Sequence, residues 1–295
     1  MSAPALSTPR RPLTWLITGC SSGIGLSLAR LVQARGHKLI ATSRSPVRTP
    51  ELVAEVERNG GTWLALDVTD RDSGRVVAEL EHNGHQIDVL VNNAGGSIHA
   101  PSEIYTEDEL RAQMDLLYFG PARLVRAVLP HMRQRRSGIV VNISTGAALE
   151  GRDSMGAYAA AKAALDAMSR VMAKEIAPFN VRLLVVMLGT FNTNMPSVAA
   201  MGATPLPDDY RGSVADQTMR LMSGEFQPDG DKDKAVRAVF DVVVGEGPVG
   251  TGREAERLLP LGRDMAARVR LVQDNLAHTM EVFGDVCNNV YIDGR

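Results

Sequence analysis

The sequence predicts an α/β fold, a doubly wound parallel sheet in a single domain, and three observations carry that expectation. Short apolar, β-branched runs alternate with segments whose apolar residues recur every three to four positions. A glycine-containing turn, TGCSSGIG at 18–25, stands directly behind the first apolar run. The strand-like runs carry few polar residues, as strands of a sheet covered on both faces require.

The elements follow in order. Residues 13–18 form the first apolar run, and the turn comes next. Ile24, Leu28, Leu31 and Val32 then recur at helical spacing as far as Gly36. The second strand is HKLIATS (37–43), followed by a helical pattern at 50–59 and a third strand, TWLALDV (62–68). Val76, Val77 and Leu80 line the next helix. Strand four, IDVLVNNAG (87–95), ends in polar residues and glycine. One long helical pattern fills 107–135, and strand five is GIVVNIS (138–144). An alanine-rich helix at 155–177 stops at Pro178, which cannot continue it. Strand six is VRLLVVML (181–188). The pattern then loosens. Residues 189–232 hold glycines, prolines and scattered methionines, a long connection that reads as a substrate lid with short helices. Helices at 231–244 and near 263–283 follow, and 284–295 is ambiguous. Residues 1–12 read as a flexible arm and 13–295 as one domain, with no repeat and no interior low-complexity linker.

Composition narrows the function. A chain of 295 residues, 44% hydrophobic and 22% charged, is an ordinary globule. A formal net charge of −2 with no long single-sign run argues against nucleic acid and anionic membrane as partners. Arg133, Arg135 and Arg136 follow a helical stretch, where cations favour the helix dipole. Two cysteines, Cys20 and Cys287, do not make a disulfide framework, so a reducing compartment is expected. Cys20 reads as a packing residue. His82 and His85 lie in a loop without a neighbouring cysteine, and no metal site is expected. The opening MSAPALSTPRRPL lacks the apolar core of a secretory signal, and no run approaches a membrane span. The expected location is the cytoplasm.

The glycine turn opens the first strand–helix unit, at the carboxyl end of a strand, where open α/β sheets bind ligands. Gly19 suits a positive φ, while Gly23 and Gly25 let backbone and helix approach. With Ser21, Ser22 and Ile24 they surround a helix N-terminus, whose free N–H groups and positive dipole suit a pyrophosphate. Asp67-Val68 ends strand three, Asn93-Ala94-Gly95 ends strand four, and Tyr158 stands four residues before Lys162. With these motifs in this order, residues 13–195 resemble the short-chain dehydrogenase/reductase family, with a fainter echo in LLPLGRD (258–264). The resemblance implies a Rossmann-type fold and a nicotinamide dinucleotide. Asp67 is then expected beside adenine, and Asn93 to Gly95 along the cofactor cleft.

Tyr158 and Lys162 share one helix face. A phenol ordinarily titrates near ~10, and a nearby ammonium lowers that value. The resemblance makes Tyr158 the group that exchanges a proton with the substrate oxygen. It makes Lys162 a holder of the nicotinamide ribose. The family's third group, a serine 13 positions before the tyrosine, falls on Thr145, with Ser144 one step away. Three departures stand out. Thr145 replaces that serine. Leu117 stands where the family usually has an asparagine whose main-chain carbonyl helps a proton relay. Leu188-Gly189 replaces Pro-Gly, although Gly189 and Thr193 keep the nicotinamide end.

Thr42-Ser43-Arg44 ends strand two without an acid. An acid there would bind a ribose 2′-hydroxyl, whereas the fork of Arg44 suits a 2′-phosphate, so NADP(H) is the expected cofactor. Phe191, Met195, Met201, Met219, Leu221 and Met222 give the lid an adaptable apolar character. Three functions stay open. One is carbonyl reduction or alcohol oxidation on a bulky small molecule, with a place in a biosynthetic pathway. The second is a non-redox isomerase or cyclase on the same scaffold, and the third a cofactor-binding protein without catalysis. The resemblance also implies homodimers or homotetramers, paired through 107–135 and 155–177.

Overall fold

In the computed structural model, which describes residues 6–193, 199–225 and 228–292, the apolar runs become one parallel sheet. Its strands are β1 (Thr14–Ile17), β2 (Lys38–Ser43), β3 (Thr62–Ala65), β4 (Val89–Asn92), β6 (Gly138–Thr145), β7 (Val181–Leu188) and β9 (Leu258–Leu261). Their order is β3-β2-β1-β4-β6-β7-β9. The order reverses between β1 and β4, so their carboxyl ends frame a crevice. Two three-residue strands, β5 (Ser97–His99) and β8 (Ala199–Met201), pair with each other above the sheet.

Side-chain alternation distributes the core over both faces of the sheet. Trp15, Ile17, Val89, Val91, Val141, Leu184 and Val186 pack on one side. Leu16, Leu90, Val140, Leu183 and Val185 pack on the other. The first face is covered by α1 (Gly23–Ala34), α2 (Pro50–Arg58) and α9 (Lys232–Val244). There the rings of Trp15 and Phe240 stack with centroids 5.7 Å apart. The second face is covered by α3 (Ser73–His82), α5 (Gly120–Gln134) and α7 (Gly156–Ile176). Local chemistry sets several ends. Asp231 accepts hydrogen bonds from the N–H groups of Asp233 and Lys234 and caps α9, and Gly245 ends it in the left-handed conformation.

Three stretches differ from expectation. LLPLGRD, where no strand was expected, contains a seventh strand, β9, paired with β7. Its shortness and Pro260 hide it in the sequence, and an edge strand tolerates that proline. The single helix expected over 107–135 is α4 (Glu107–Met114), a π turn (Asp115–Phe119) and α5. Pro121 is the physical reason. It has no N–H, so the carbonyl of Leu117 lacks its i+4 donor and the ladder must shift. The helix expected near 263–283 runs as α11 (Arg263–Asn288) and takes in part of the ambiguous tail.

Residues 6–12 make several side-chain contacts with the body. Arg11 donates to Asp88 at 2.7 and 2.8 Å, Ser7 N–H donates to Asn180, and Thr8 accepts from Arg182 at 2.7 Å. The arginines after α5 also tie elements together. Arg135 pairs with Glu81 at 2.9 Å, Arg136 donates to the Pro178 carbonyl at 2.7 Å, and Arg133 lies over the Phe179 ring. Within the lid stretch, α8 (Val214–Arg220) follows β8. Met195 lies outside the described residues. Among the described residues, no helix is long and apolar enough to cross a membrane.

Candidate active site

The turn after β1 is shaped by three glycines for different reasons. Gly19 has φ +73°, and a Cβ there would stand 2.8 Å from Ala94 Cα. Gly23 has φ +58°, so it serves by conformation as well as by smallness. Its absent side chain faces the cleft, where the nearest atom is Thr193 Cβ at 3.9 Å. At Gly25 a side chain would collide with the Asn93 amide and the Gly19 carbonyl. Asn93 Nδ2 donates to the carbonyls of Thr18 at 2.8 Å and Gly19 at 3.2 Å. The Thr18 hydroxyl accepts from the N–H groups of Asn93 and Ala94 at 2.9 and 3.0 Å. Asn93 and Ala94 therefore brace the turn from β4 as well as bordering the cleft. Cys20 is buried, and burial pushes its thiol up to about 12, which suits packing rather than nucleophilic chemistry.

A cleft of about 810 Å³ runs along the carboxyl ends of the strands. Every site residue expected from sequence borders it except Gly25, which sits beneath the turn. At one end stand Gly19, Ser21, Ser22, Gly23 and Ile24, then Arg44, Asp67 and Val68. Asn93, Ala94 and Gly95 cross the middle. Ser144, Thr145, Tyr158, Lys162 and Gly189 close the other end, and Thr193 lies over the cleft against Gly23. Ser22 precedes α1 without a side-chain bond to the helix, which leaves that N-terminus suited to an anion. Asp67 accepts from Thr69 N–H and hydroxyl at 3.0 and 2.7 Å, which fixes its carboxylate at the cleft wall. The open face of Gly23, the cationic Arg44 and the free helix end fit a phosphate-bearing dinucleotide.

At the chemical end, β6 and α7 supply the groups. Tyr158 and Lys162 are both buried. The Thr145 hydroxyl lies beside the Tyr158 phenol, and it accepts from Ala147 N–H at 3.2 Å. Ser144 points elsewhere, as the next residue along a strand must. It faces the Asp166 carboxyl instead, and its Oγ has no hydrogen-bond partner among the described residues. The two hydroxyls are thus separated, with Thr145 beside the phenol.

The electrostatics correct one expectation. Lys162 does not lower the phenol in this arrangement; burial pushes Tyr158 up to about 12, against a lowering by Thr145. Lys162 Nζ donates to the Ile143 carbonyl at 2.6 Å. Burial lowers Lys162 to about 8, opposed by the charge of Asp166. Asp166 is itself raised by burial. Between pH 8 and the ordinary lysine value near 10.5, the unfolded chain holds a proton on Lys162 that the folded chain has lost. Stability from this group therefore rises with pH across that window and is at its lowest below pH 8. Lys162→Met is expected to raise the melting temperature at pH 7, by a margin that narrows toward pH 10. Paired thermal melts of the two proteins across pH check this, and a margin that widens overturns it.

Leu117 lies fully buried in the π turn and packs with Ala147, Met155, Tyr158 and Ala161. It closes the floor beneath the phenol with hydrocarbon. Gly189 is pinned by the start of α11. Its N–H donates to Leu261 O at 2.7 Å, and a side chain there would collide with Asp264. Asp264 in turn accepts from the Thr190 N–H and hydroxyl.

Sequence reasoning missed several residues at the cleft or just behind it. Asp166 was legible as the next i+4 position after Lys162. Arg48 stands one short turn after Arg44 and borders the same end. Gln113 and Ser97 border the cleft although nearly fully buried, and Ser97 Oγ lies 2.8 Å from His99 Nε2. Arg152 adds a cation at the substrate end. No sequence signal marks these four, because they come from short turns and loops, from β5 and from α4. Of the apolar lid residues, Phe191, Leu221 and Met222 border the cleft, while Met201 is exposed at the end of β8.

Comparison with known proteins agrees with this geometry. The family model described as short chain dehydrogenase matches residues 14–201. An oxidoreductase of Passalora fulva is 40% identical over 185 residues, covering 62% of this chain and 84% of its own. A 3-ketodihydrosphingosine reductase of Bacteroides thetaiotaomicron is 37% identical over 240 residues, covering 81% of this chain and 86% of its own. The crystal structure of a short-chain dehydrogenase from Streptomyces avermitilis superposes with a TM-score of 0.84 at 34% identity, covering 96% of this chain and 100% of that one.

Proposed function

The chain belongs to the short-chain dehydrogenase family, and from that premise we propose that it is an NADP(H)-dependent oxidoreductase acting on a bulky, largely apolar small molecule. The reaction is the interconversion of a carbonyl and a secondary alcohol. One observation carries the reading: a single cleft joins a phosphate-fitting glycine turn to a buried phenol with a hydroxyl beside it.

The residues divide the work by position. The N–H groups of the turn and of the first turn of α1 hold the pyrophosphate. Arg44 and Arg48 grip the 2′-phosphate, and Asp67 and Val68 border the adenine. Lys162, anchored on the Ile143 carbonyl, reaches the nicotinamide ribose, and Gly189 and Thr193 flank the nicotinamide end. Thr145 holds the substrate oxygen next to Tyr158. When bound, the reduced nicotinamide supplies the hydride that the carbonyl carbon accepts. Tyr158 then gives its proton to the oxygen as charge develops there. Burial keeps the phenol protonated through neutral pH, which favours its use as an acid and hence reduction. Leu117 retains the main-chain carbonyl at the position of the family's asparagine and removes the side-chain amide. The apolar walls formed by Leu116, Met155, Phe191, Leu221 and Met222 favour a hydrocarbon-rich substrate. The relative named for a sphingoid ketone is in keeping with that choice.

The test is loss of NADPH absorbance against a panel of bulky aliphatic and aromatic ketones. Product formation without any change in nicotinamide redox state would overturn the reading. The cofactor preference is tested separately. A charge-assisted contact is worth about 1.5–3 kcal/mol, or roughly 10–100-fold in affinity. Arg44→Ala combined with Arg48→Ala is expected to weaken NADPH binding by at least that factor and to leave NADH binding unchanged. Equal losses for both nucleotides, measured by calorimetry, would remove the arginines from the 2′-phosphate.

A further inference from the structure

The substrate end of the cleft is not apolar all round. Leu116, Met155, Phe191, Leu221 and Met222 supply hydrocarbon, but Ser97 and Arg152 border the same cleft. Ser97 belongs to β5, and Arg152 to the loop leading into α7, whose first turn carries Tyr158. That loop is sewn to β5. The Ala100 N–H donates to the Ser154 carbonyl at 3.1 Å, and the Tyr105 hydroxyl lies 2.9 Å from both the Ile98 and the Ser154 carbonyls. The Met155 N–H donates to the Arg152 carbonyl at 3.1 Å. Ser154 holds φ +57°, which a residue other than glycine keeps only where its surroundings fix it. The backbone that carries Arg152 is thus set against β5.

Arg152 is half-buried, and it forms no ion pair with a carboxylate among the described residues. The acid two positions before it, Glu150, pairs with Arg268 at 2.7 Å. Asp67 is the one acid among the described residues that border the cleft, and it stands at the glycine-turn end. The other cations at the substrate end are engaged. Arg268 meets both Glu150 and Asp264, and Lys162 Nζ donates to the Ile143 carbonyl. Arg152 therefore offers one uncompensated positive charge, and a charge drawn partly out of water favours a partner. Beside it stands Ser97, nearly fully buried, with its Oγ 2.8 Å from Nε2 of the fully buried His99. Burial, and then the charge of Arg152, lower His99 to about 4, so the ring is neutral at pH 7. Its Nδ1 has no partner among the described residues. The tautomer protonated on Nε2 avoids an orphaned N–H, and in it the ring donates to Ser97 Oγ. The Ser97 O–H is then left to donate toward the cleft.

We infer that Arg152 and Ser97 form a carboxylate subsite, so that the substrate is an oxo acid with an apolar body and a carboxylate remote from its reacting carbonyl. The inference rests on reading this cleft as the substrate site. A guanidinium fork with a neighbouring hydroxyl matches the two oxygens of a carboxylate. Charge selects the carboxylate over a phosphate. One uncompensated cation balances a single negative charge, whereas a dianion would keep an excess charge among the hydrocarbon walls. The same walls take the rest of the molecule.

The probes are ketoprofen and fenbufen, bulky aryl ketones with one carboxylate each, and the methyl ester of each. With the protein saturated in NADP⁺, which cannot reduce a ketone, calorimetry at pH 7 reads binding alone. Each acid is expected to bind roughly 10–100-fold more tightly than its ester, the range for a charge-assisted contact. Arg152→Met is expected to bring the acids down to the affinity of the esters. Arg152→Lys, which keeps the charge without the fork, is expected to recover part of the preference. Ser97→Ala is expected to narrow it by roughly 2–10-fold. Equal affinity of acid and ester in the wild type overturns the inference, and that comparison needs no variant to fold. Failure of both acids to bind overturns it as well, and so does a preference that survives Arg152→Met. NADPH oxidation on the same compounds separates this inference from the reductase reading. Reduction of the esters with no preference for the acids removes the subsite and keeps the reductase. Tighter binding of the acids with reduction of none of the compounds keeps the subsite and counts against the reductase.

Discussion

Tyr158→Phe is expected to cut ketone reduction by about 10²–10⁴-fold, the range for loss of a positioned general acid, while NADPH binds as before. The change removes one oxygen from a buried ring and leaves its packing against Leu117 and Ala161 intact. Thr145 loses the phenol partner but keeps the Ala147 N–H. The effect should therefore fall on kcat rather than on the fold or the nucleotide. Steady-state rates, read beside calorimetric NADPH affinity and a thermal melt, separate these. Near-wild-type turnover would take the proton from another group and remove Tyr158 from the chemistry. In the wild type, a phenol held near 12 stays protonated well above neutrality, so this group imposes no loss of reduction between pH 6 and 9.

The second large effect is expected at a residue that does not border the cleft. Gly25→Ala places a methyl group against both the Asn93 amide and the Gly19 carbonyl. Neither can yield cheaply, since that amide already holds the carbonyls of Thr18 and Gly19. Overpacking of this kind costs about 1–3 kcal/mol of stability. The larger consequence is for binding. The turn must shift away from β4, and its N–H groups lose their aim. Loss of one or two charge-assisted hydrogen bonds, at about 1.5–3 kcal/mol each, lowers NADPH affinity by roughly 100-fold. Calorimetry and a denaturant melt measure the two losses independently. An alanine variant that binds NADPH normally would show that the turn tolerates the displacement and that nucleotide affinity resides elsewhere.

Two features of the site were reachable from sequence only in part. The spacing of Tyr158 and Lys162 gave a shared helix face, but the sign of the phenol's shift depends on how deeply the pair is buried. Burial outweighs any neighbouring ammonium here, and Lys162 turns to the Ile143 carbonyl. Thr145 and Ser144 were adjacent candidates. The alternation of β6 separates them, sending one hydroxyl to Tyr158 and the other to Asp166.

By itself the sequence determined the sheet and the turn. Apolar β-branched runs at regular intervals, and glycine where a positive φ or close approach is needed, are properties of consecutive residues, and periodicity reads them directly. It also determined that a phenol and an ammonium lie one helical turn apart. Only the tertiary structure decided what distant segments do to one another. It placed β9 beside β7 despite Pro260 and brought Arg48, Gln113 and Arg152 to one cleft. It left most of the second half of α11 exposed. The physical reason is range. Backbone preference and hydrophobic period act over a few residues, whereas burial, desolvation and edge pairing depend on neighbours that the chain supplies from a hundred positions away.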